Sequence, residues 1–369
     1  MSSTLASARR RQLEYFPSDY FSARERFTTL ASILHARTDS HAIQARGPGG
    51  ETLSIDTAYL GGSAPRRLLI ISSAIHGAEG FAGSALQQGF ISDLADVPPL
   101  PDDHGVLFVH AINPYGFAHL RRANENNVDL NRNCLTSFPG PANPAYEAFN
   151  ALLNPPASPS MDLFILRLAG HALRLGPGTF TQIIAAGQYT FPKGLFYGGT
   201  SRQESIAVFD RILRRPSYAR VASVLHIDLH TGLGRYGTYK LLAQVPSASP
   251  EFLQLQKWFG TDAVATNLAK TAGAYAASGL IGSVTKAAFA NARVYTATLE
   301  FGTYSLPRVL ASLRKENSLQ HYGLIDSTTG RKIKAQFLES FCPQDKTWRF
   351  GVLEQGINVL RQAKAGLFA

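Results

Sequence analysis

Residues 67–90 read RLLIISSAIHGAEGFAGSALQQGF, and the order of parts within this stretch decides the architecture. Arg67 to Ser73 is a short apolar run, which predicts a buried strand. Gly80 to Phe90 comes directly after it with helical character. A strand that runs straight into a helix is the building unit of an α/β sheet. Between the two lies His76-Gly77-Ala78-Glu79. In open α/β sheets ligands bind beyond the carboxyl ends of the strands, so these residues stand where a site would form. Residues three apart in a helical turn share a face. An imidazole nitrogen and a carboxylate oxygen there could both reach one zinc ion at about 2.0–2.2 Å. Alone, the HxxE spacing is a weak signal, since most such pairs are incidental surface or turn residues.

Further strands are expected on both sides of this unit. Thr52 to Leu60 alternates weakly and stops at Gly61-Gly62; Val106 to Ile112, Val221 to Leu229, Thr238 to Val245 and Arg293 to Phe301 are apolar or β-branched runs. Helical patterns fall between and after them, at Met161 to Leu175, Glu204 to Arg215, Pro250 to Phe259, Leu306 to Tyr322 and, interrupted by Gly356 and Gly366, Leu353 to Leu367. Alternating strands and helices predict an α/β fold with a central mixed, mostly parallel, twisted sheet flanked by helices. No linker divides the chain, so one domain over residues 1–369 is expected, with its core at about 50–325. Residues 134–200, rich in Pro and Gly at Phe138 to Pro144 and Pro155 to Pro159, are expected to form an insertion that narrows or covers the cleft.

Composition narrows the function classes. The chain has 369 residues, 45% of them hydrophobic and 17% charged, enough to build a core and too apolar for wholesale disorder. Mean hydropathy is −0.06 and no run of about 18 apolar residues occurs, so no membrane span is expected. The polar start, ending in Arg9-Arg10-Arg11, does not resemble a secretory signal. Two cysteines, Cys134 and Cys342, exclude a disulfide framework and a four-cysteine zinc site. A cytoplasmic location is the default expectation. The formal charge is +10, but the basic residues are scattered and do not interleave with aromatics. They are read as a solvated basic surface and not as a nucleic-acid footprint.

Three other clusters carry chemistry. Arg122-Ala-Asn-Glu-Asn-Asn-Val-Asp129-Leu-Asn131-Arg132-Asn133 comes after a strand and the Asn113-Pro114-Tyr115-Gly116 turn. Arg132 has the fork that holds a carboxylate, with Asn131 as a further donor, though Asx turns alone would also explain the segment. In His226-Ile-Asp228-Leu-His230-Thr231, alternation puts His226, Asp228 and His230 on one side of a strand. His230 then sits at the same sheet edge as His76. Glu300 closes an apolar strand, where a carboxylate is costly unless it is partnered or functional; beside a bound water it is a candidate general base. Gly232-Leu-Gly234-Arg-Tyr-Gly237 matches GxGxxG, but Thr238 to Val245 directly after it has the character of a strand, whereas a dinucleotide site needs a helix there.

Taken in order, HxxE, NPYGF, R-x-N-x-N-N-V-D-L-N-R-N, DLHTG and a late strand glutamate resemble the zinc metallocarboxypeptidase superfamily. The likeness is greatest to a branch of bacterial carboxypeptidase-type proteins with the DLHTGLG segment. Amide deacylases of the aspartoacylase and succinylglutamate desuccinylase type share parts of it. The matching motifs run from His76 to Thr303. The resemblance implies a zinc carboxypeptidase-like fold with one Zn2+ per chain held by His76, Glu79 and His230. It implies that Asp129 orients His76, that Arg122 polarises the scissile carbonyl, and that Asn131 and Arg132 clamp a substrate carboxylate. It further implies that Glu300 is the general base and acid. Tyr275 is a candidate for the family's substrate-capping tyrosine, with Tyr236 as a substitute.

The activity so implied is hydrolysis of an amide or peptide bond next to a free carboxylate, on a small peptide. The alternative is an N-acyl amino-acid deacylase; the two differ in which side of the amide bears the recognised carboxylate. An inactive zinc-binding or nucleic-acid-associated protein and a dinucleotide oxidoreductase are the remaining readings. No membrane partner is expected.

Overall fold

The computed structural model describes residues 13–157, 163–266 and 277–369. One eight-stranded sheet organises them. In chain order its strands are β1 (Arg37–Arg46), β2 (Thr52–Gly61), β3 (Arg67–Ser73), β4 (His104–His110), β5 (Ser223–Tyr236), β6 (Tyr239–Ala243), β7 (Val264–Thr266) and β8 (Arg293–Gly302). Their spatial order is β1-β2-β4-β3-β5-β8-β6-β7. The central four, β4, β3, β5 and β8, are mutually parallel, while β1, β2 and β6 pair antiparallel toward the edges. Parallel strands are covered on both faces, which is why Leu68 to Ile71, Val106 to Val109 and Val224, Leu225 and Ile227 are continuous apolar runs with no exposed side. The α/β fold with a mixed sheet, expected from these runs, is the observed one.

Register sets the site. His226 stands opposite Ile70 and Thr296, Asp228 opposite Ser72 and Thr298, and His230 opposite Glu300. Because side chains alternate along a strand, His226, Asp228 and His230 face one layer, and His230 and Glu300 arrive side by side at the carboxyl edge.

Helices cover both faces. Gly80–Ala95 is buried over most of its length and packs against the C-terminal helix Lys346–Phe368. That last helix is 23 residues long and continuous, longer than the Leu353 to Leu367 pattern predicts. Gly356 and Gly366 are contact points and not breaks. A Cβ at Gly356 would lie 2.3 Å from Leu86 Cδ2, and one at Gly366 2.5 Å from Trp258 Cδ1. Glycine lets the neighbouring side chains press onto the helix backbone at those two places.

Several elements have no counterpart in the sequence reading, strand β7 and helix Gly282–Ala288 among them. Helix Tyr20–Ile33, opened by a reciprocal Asp19–Ser22 capping box, buries Tyr20, Ala23, Phe27 and Ala31. Strand β1 and helix Thr328–Phe341 are others. The expected helix from Met161 is seen as Phe164–Leu175, its first residues lying outside the described range. Within 134–200 the described residues form helices Pro144–Leu153, Phe164–Leu175 and Pro177–Ala185. These pack with helices Leu306–Tyr322 and Thr328–Phe341 around a second apolar cluster that includes Phe149, Phe180, Leu313 and Phe337. The GxGxxG segment is the end of β5 and its turn into β6, and no helix starts at its glycines. Cys134 and Cys342 are both free and buried.

Candidate metal centre and its cavity

At the carboxyl end of β3 the chain passes through His76 into a single helical turn, Gly77–Glu79. That turn brings the two side chains together: His76 Nδ1 lies 2.9 Å from Glu79 Oε1. The loop carrying Arg121 and Arg122 docks directly on it, with the Gly77 and Ala78 N–H groups donating to the Arg122 and Arg121 carbonyls. A Cβ at Gly77 would lie 1.9 Å from the Gly116 carbonyl carbon, so only glycine allows the NPYG turn to approach this closely. From β5, His230 places Nδ1 3.0 Å from the other Glu79 oxygen. One ligand atom from each of His76, Glu79 and His230 falls within a cluster no wider than 4.8 Å, and all three residues are buried.

The rear nitrogens are held by carboxylates. His76 Nε2 is 3.1 Å from Asp129 Oδ1, and His230 Nε2 contacts Asp228 Oδ2. A carboxylate can only accept, so each Nε2 carries a proton toward its aspartate, and Nδ1, which faces the Glu79 carboxylate, is the atom that would give its lone pair to a metal once its own proton is lost. Asp129 is fixed in turn by the Asn131 N–H at 3.0 Å and by Arg122 Nε at 3.1 Å. Behind Asp228 a buried chain continues. Ser72 Oγ donates to Asp228, accepts from His226 Nε2 at 2.7 Å, and leaves His226 Nδ1 to accept from Thr285 Oγ1 at 2.8 Å. Burial holds His226 down at about 4, so it stays neutral in this chain.

Charges follow the geometry. Burial alone would raise the Glu79 carboxyl, but His76 and His230 outweigh it and hold the group below its ordinary value. Burial alone would lower His230, and Asp228 and Glu79 outweigh that and raise it. Arg122 Nη1 is 3.3 Å from Glu79, and its guanidinium lies over the Phe196 ring. Glu300 is buried at the end of β8 and accepts the Leu233 N–H at 3.0 Å. Burial, opposed by His230 and reinforced by the charge of Glu79, pushes its carboxyl up to about 8.

These groups open on a cavity of about 100 Å3, whose wall includes His76, Glu79, Arg122, Asn131, His230 and Glu300. The structure thus brings together seven of the eight expected residues, counting Asp129 behind His76. Arg132 departs from expectation. Its side chain is fully buried and spends Nε and Nη2 on the Ala185 carbonyl at 3.1 and 2.6 Å and Nη1 on the Asn131 carbonyl at 2.7 Å. It does not line the cavity. Asn131 does, while its Oδ1 accepts the Ile281 N–H. Tyr275 lies outside the described residues. Tyr236 is 39% exposed, donates to Asp345, and is not part of the cavity wall. Sequence reasoning assigned no role to Asp228, although its two-residue spacing from His230 was the signal. The insertion does reach the cavity, through Thr181, Ile184, Ala185 and Phe196.

Two imidazoles and one carboxylate are a donor set that zinc takes in catalytic sites. The pairing of each rear nitrogen with a carboxylate is the support such ligands receive. The residues present therefore fit a zinc ion.

The fold is carboxypeptidase-like. Carboxypeptidase A from Helicoverpa armigera is similar over 87% of this chain and 73% of its own, at 15% identity and a TM-score of 0.50. Bovine thrombin-activatable fibrinolysis inhibitor, solved with tick carboxypeptidase inhibitor, is similar over 92% of this chain and 98% of its own, at 10% identity and a TM-score of 0.44. A succinylglutamate desuccinylase from Silicibacter sp. TM1040 is similar over 78% and 67%, at 14% identity and a TM-score of 0.38. At these identities the likeness is one of fold. No curated protein matches the sequence. Residues 16–355 match the family described as protein of unknown function DUF2817, and the chain belongs to that family.

Proposed function

We propose that this protein is a metal-dependent amide hydrolase, a metallocarboxypeptidase-like enzyme in which His76, Glu79 and His230 hold one zinc ion. The observation that carries this reading is the convergence of two imidazole Nδ1 atoms on Glu79, with Glu300 and Arg122 on the wall of the same cavity. A zinc ion held there supplies an acidified water and Lewis-acid polarisation of a carbonyl.

The remaining work falls to the chain. Glu300, buried at the end of β8 and on the wall of the same cavity, is a carboxyl placed to take and return a proton. It takes the proton of the attacking water and delivers it to the leaving amine. Arg122, fixed by Asp129 and Glu79, holds positive charge beside the carbonyl oxygen as negative charge develops there. Asp129 and Asp228 keep the two imidazoles in the required tautomer and orientation. Asn131 offers the substrate a neutral polar contact at the cavity wall. A deacylase acting on N-acyl amines uses the same groups and is the second reading. Among the described residues no helix is long and apolar enough to cross a membrane.

The test joins metal content to turnover. The purified protein is expected to hold about one zinc per chain, lost in folded His76→Ala and His230→Ala variants. Glu300→Gln is expected to retain zinc and lose turnover of a small amide by about 10²–10⁴-fold. Zinc content unchanged in both histidine variants, or full activity in Glu300→Gln, overturns the assignment.

A further inference from the structure

We infer that the cavity takes an amide flanked by a compact, neutral, apolar group, and that no described residue is placed to recognise a carboxylate beside that amide. This deepens the hydrolase reading and rests on it.

The observation is what Arg132 is doing. Ala185 is the last residue of helix Pro177–Ala185, where backbone carbonyls lack helical partners and carry partial negative charge. Arg132 caps that end with two of its nitrogens and gives a third to Asn131. Gly187 closes over its stem: a Cβ there would lie 2.8 Å from Arg132 Cδ. The guanidinium is therefore built into the wall behind Ala185 and does not face the cavity. A substrate carboxylate could meet it only by displacing the helix end.

What faces the cavity instead is apolar. Ile184 and Ala185 come from the insertion, Val309, Leu310 and Leu313 from helix Leu306–Tyr322, and Phe341 from helix Thr328–Phe341. Asn131, Thr181, Thr231 and Thr298 add neutral polar atoms. Among the described lining residues the fixed cation is Arg122, and it is already set between Asp129 and Glu79, with Glu300 as a third carboxyl nearby. A buried carboxylate without its own partner is strongly disfavoured, whereas an apolar group in the same place gains by leaving water. The volume, about 100 Å3, is on the scale of a single phenyl or branched-alkyl group.

The experiment uses a matched pair, N-acetylphenylalanine and N-acetyl-2-phenylethylamine, which differ only in the carboxylate. Deacylation of each by the zinc-loaded full chain is measured, together with calorimetric Kd values for both compounds on zinc-loaded Glu300→Gln protein. The neutral compound is expected to lead by at least tenfold in kcat/KM and to bind at least tenfold more tightly. Ile184→Arg, which sets a cation in the apolar wall, is expected to move the preference toward the acid by at least tenfold. Preference of the wild type for the acid, parity between the two, or binding of neither overturns the inference. Selective binding of the neutral compound with no turnover of any amide supports the inference and overturns the hydrolase reading, so the two failures are distinguishable.

Discussion

Replacing Glu316 by glutamine tests how the arginine loop of the site is anchored. Glu316 is 3% exposed, and its Oε1 accepts from Arg121 Nε at 3.1 Å and from Lys334 Nζ at 2.7 Å. Arg121 continues to Asn127 Oδ1 at 2.7 Å, and Lys334 to the His119 and Leu120 carbonyls at 3.0 and 3.3 Å. One carboxylate thus ties helices Leu306–Tyr322 and Thr328–Phe341 to the loop that presents Arg122 to the cavity. Glutamine keeps the volume and an acceptor but removes the charge, leaving two buried cations without their anion. Breaking a buried pair in this way costs about 3–5 kcal/mol, a large part of the about 5–15 kcal/mol that holds an ordinary domain together.

The assay is urea denaturation of wild type and Glu316→Gln at matched slope, repeated over pH. Burial alone would raise the Glu316 carboxyl; Arg121 and then Lys334 outweigh it and hold the group below its ordinary value. A depressed carboxylate stabilises the folded state above its unfolded pKa of about 4.3, and that stabilisation is lost as pH falls through the folded value. The gap between wild type and variant is therefore widest above about pH 5 and closes on acidification. On Glu316 the charge of Arg121 outweighs that of Lys334, and on Lys334 burial outweighs the neighbouring Glu316 and lowers the ammonium. Accordingly Glu316→Gln/Lys334→Met, which removes one stranded cation, is expected to recover part of the loss. A variant less than about 1 kcal/mol weaker than wild type, or a gap indifferent to pH, would refute this reasoning.

Other outcomes are expected from the same geometry. Asp228→Asn is expected to weaken zinc binding by about 10–100-fold in a chelator competition, because it removes the carboxylate that orients His230; unchanged affinity counts against that role. Gly356→Ala is expected to destabilise by about 1–3 kcal/mol, since the new Cβ meets Leu86 at 2.3 Å, and a variant that melts no earlier than wild type would show the helix pair to be loosely packed. In the metal-free protein, Glu300 is raised from 4.5 to about 8, so the folded chain holds a proton that the unfolded chain releases. Its contribution is therefore present below the unfolded value and lost as pH rises toward 8. Wild type is expected to lose stability relative to Glu300→Gln across that window, and a gain instead would contradict the burial of the carboxyl.

Much of the central sheet is legible in sequence because parallel strands, buried on both faces, leave uninterrupted apolar runs. Edge strand β1 leaves none: Arg37, Thr38, Asp39 and Ser40 are all exposed, as befits an edge that must not recruit another chain. Helix Thr328–Phe341 is hidden for a different reason. Its inward stripe contains Lys334 as well as Phe337 and Phe341, and a lysine at a core position makes sense only when Glu316 and two carbonyls are known to meet it. The candidate metal donors are legible because HxxE and DxH are local spacings at strand ends. The support of His230 by Asp228 was present in the same five residues, but strand alternation alone does not say which neighbour of a histidine receives its proton.

Arg132 shows where such reading stops. Asn131-Arg132 has the chemistry of a carboxylate clamp, because a guanidinium fork fits any planar pair of acceptors. Whether it meets a substrate or the protein's own backbone depends on what lies 53 residues away, where Ala185 ends a helix and presents its carbonyl. A helix terminus competes for cations just as a carboxylate does, though more weakly. Here it wins because it is covalently part of the chain and always present. The groups proposed to react are thus set by the edge of the sheet, while the character of the cavity wall is set largely by residues 134–200 and the helices they pack on. Substitutions on helix Pro177–Ala185 should then change which amide is accepted and leave the His76–Glu79–His230 geometry untouched, since no hydrogen bond or ion pair described for those three residues comes from that helix.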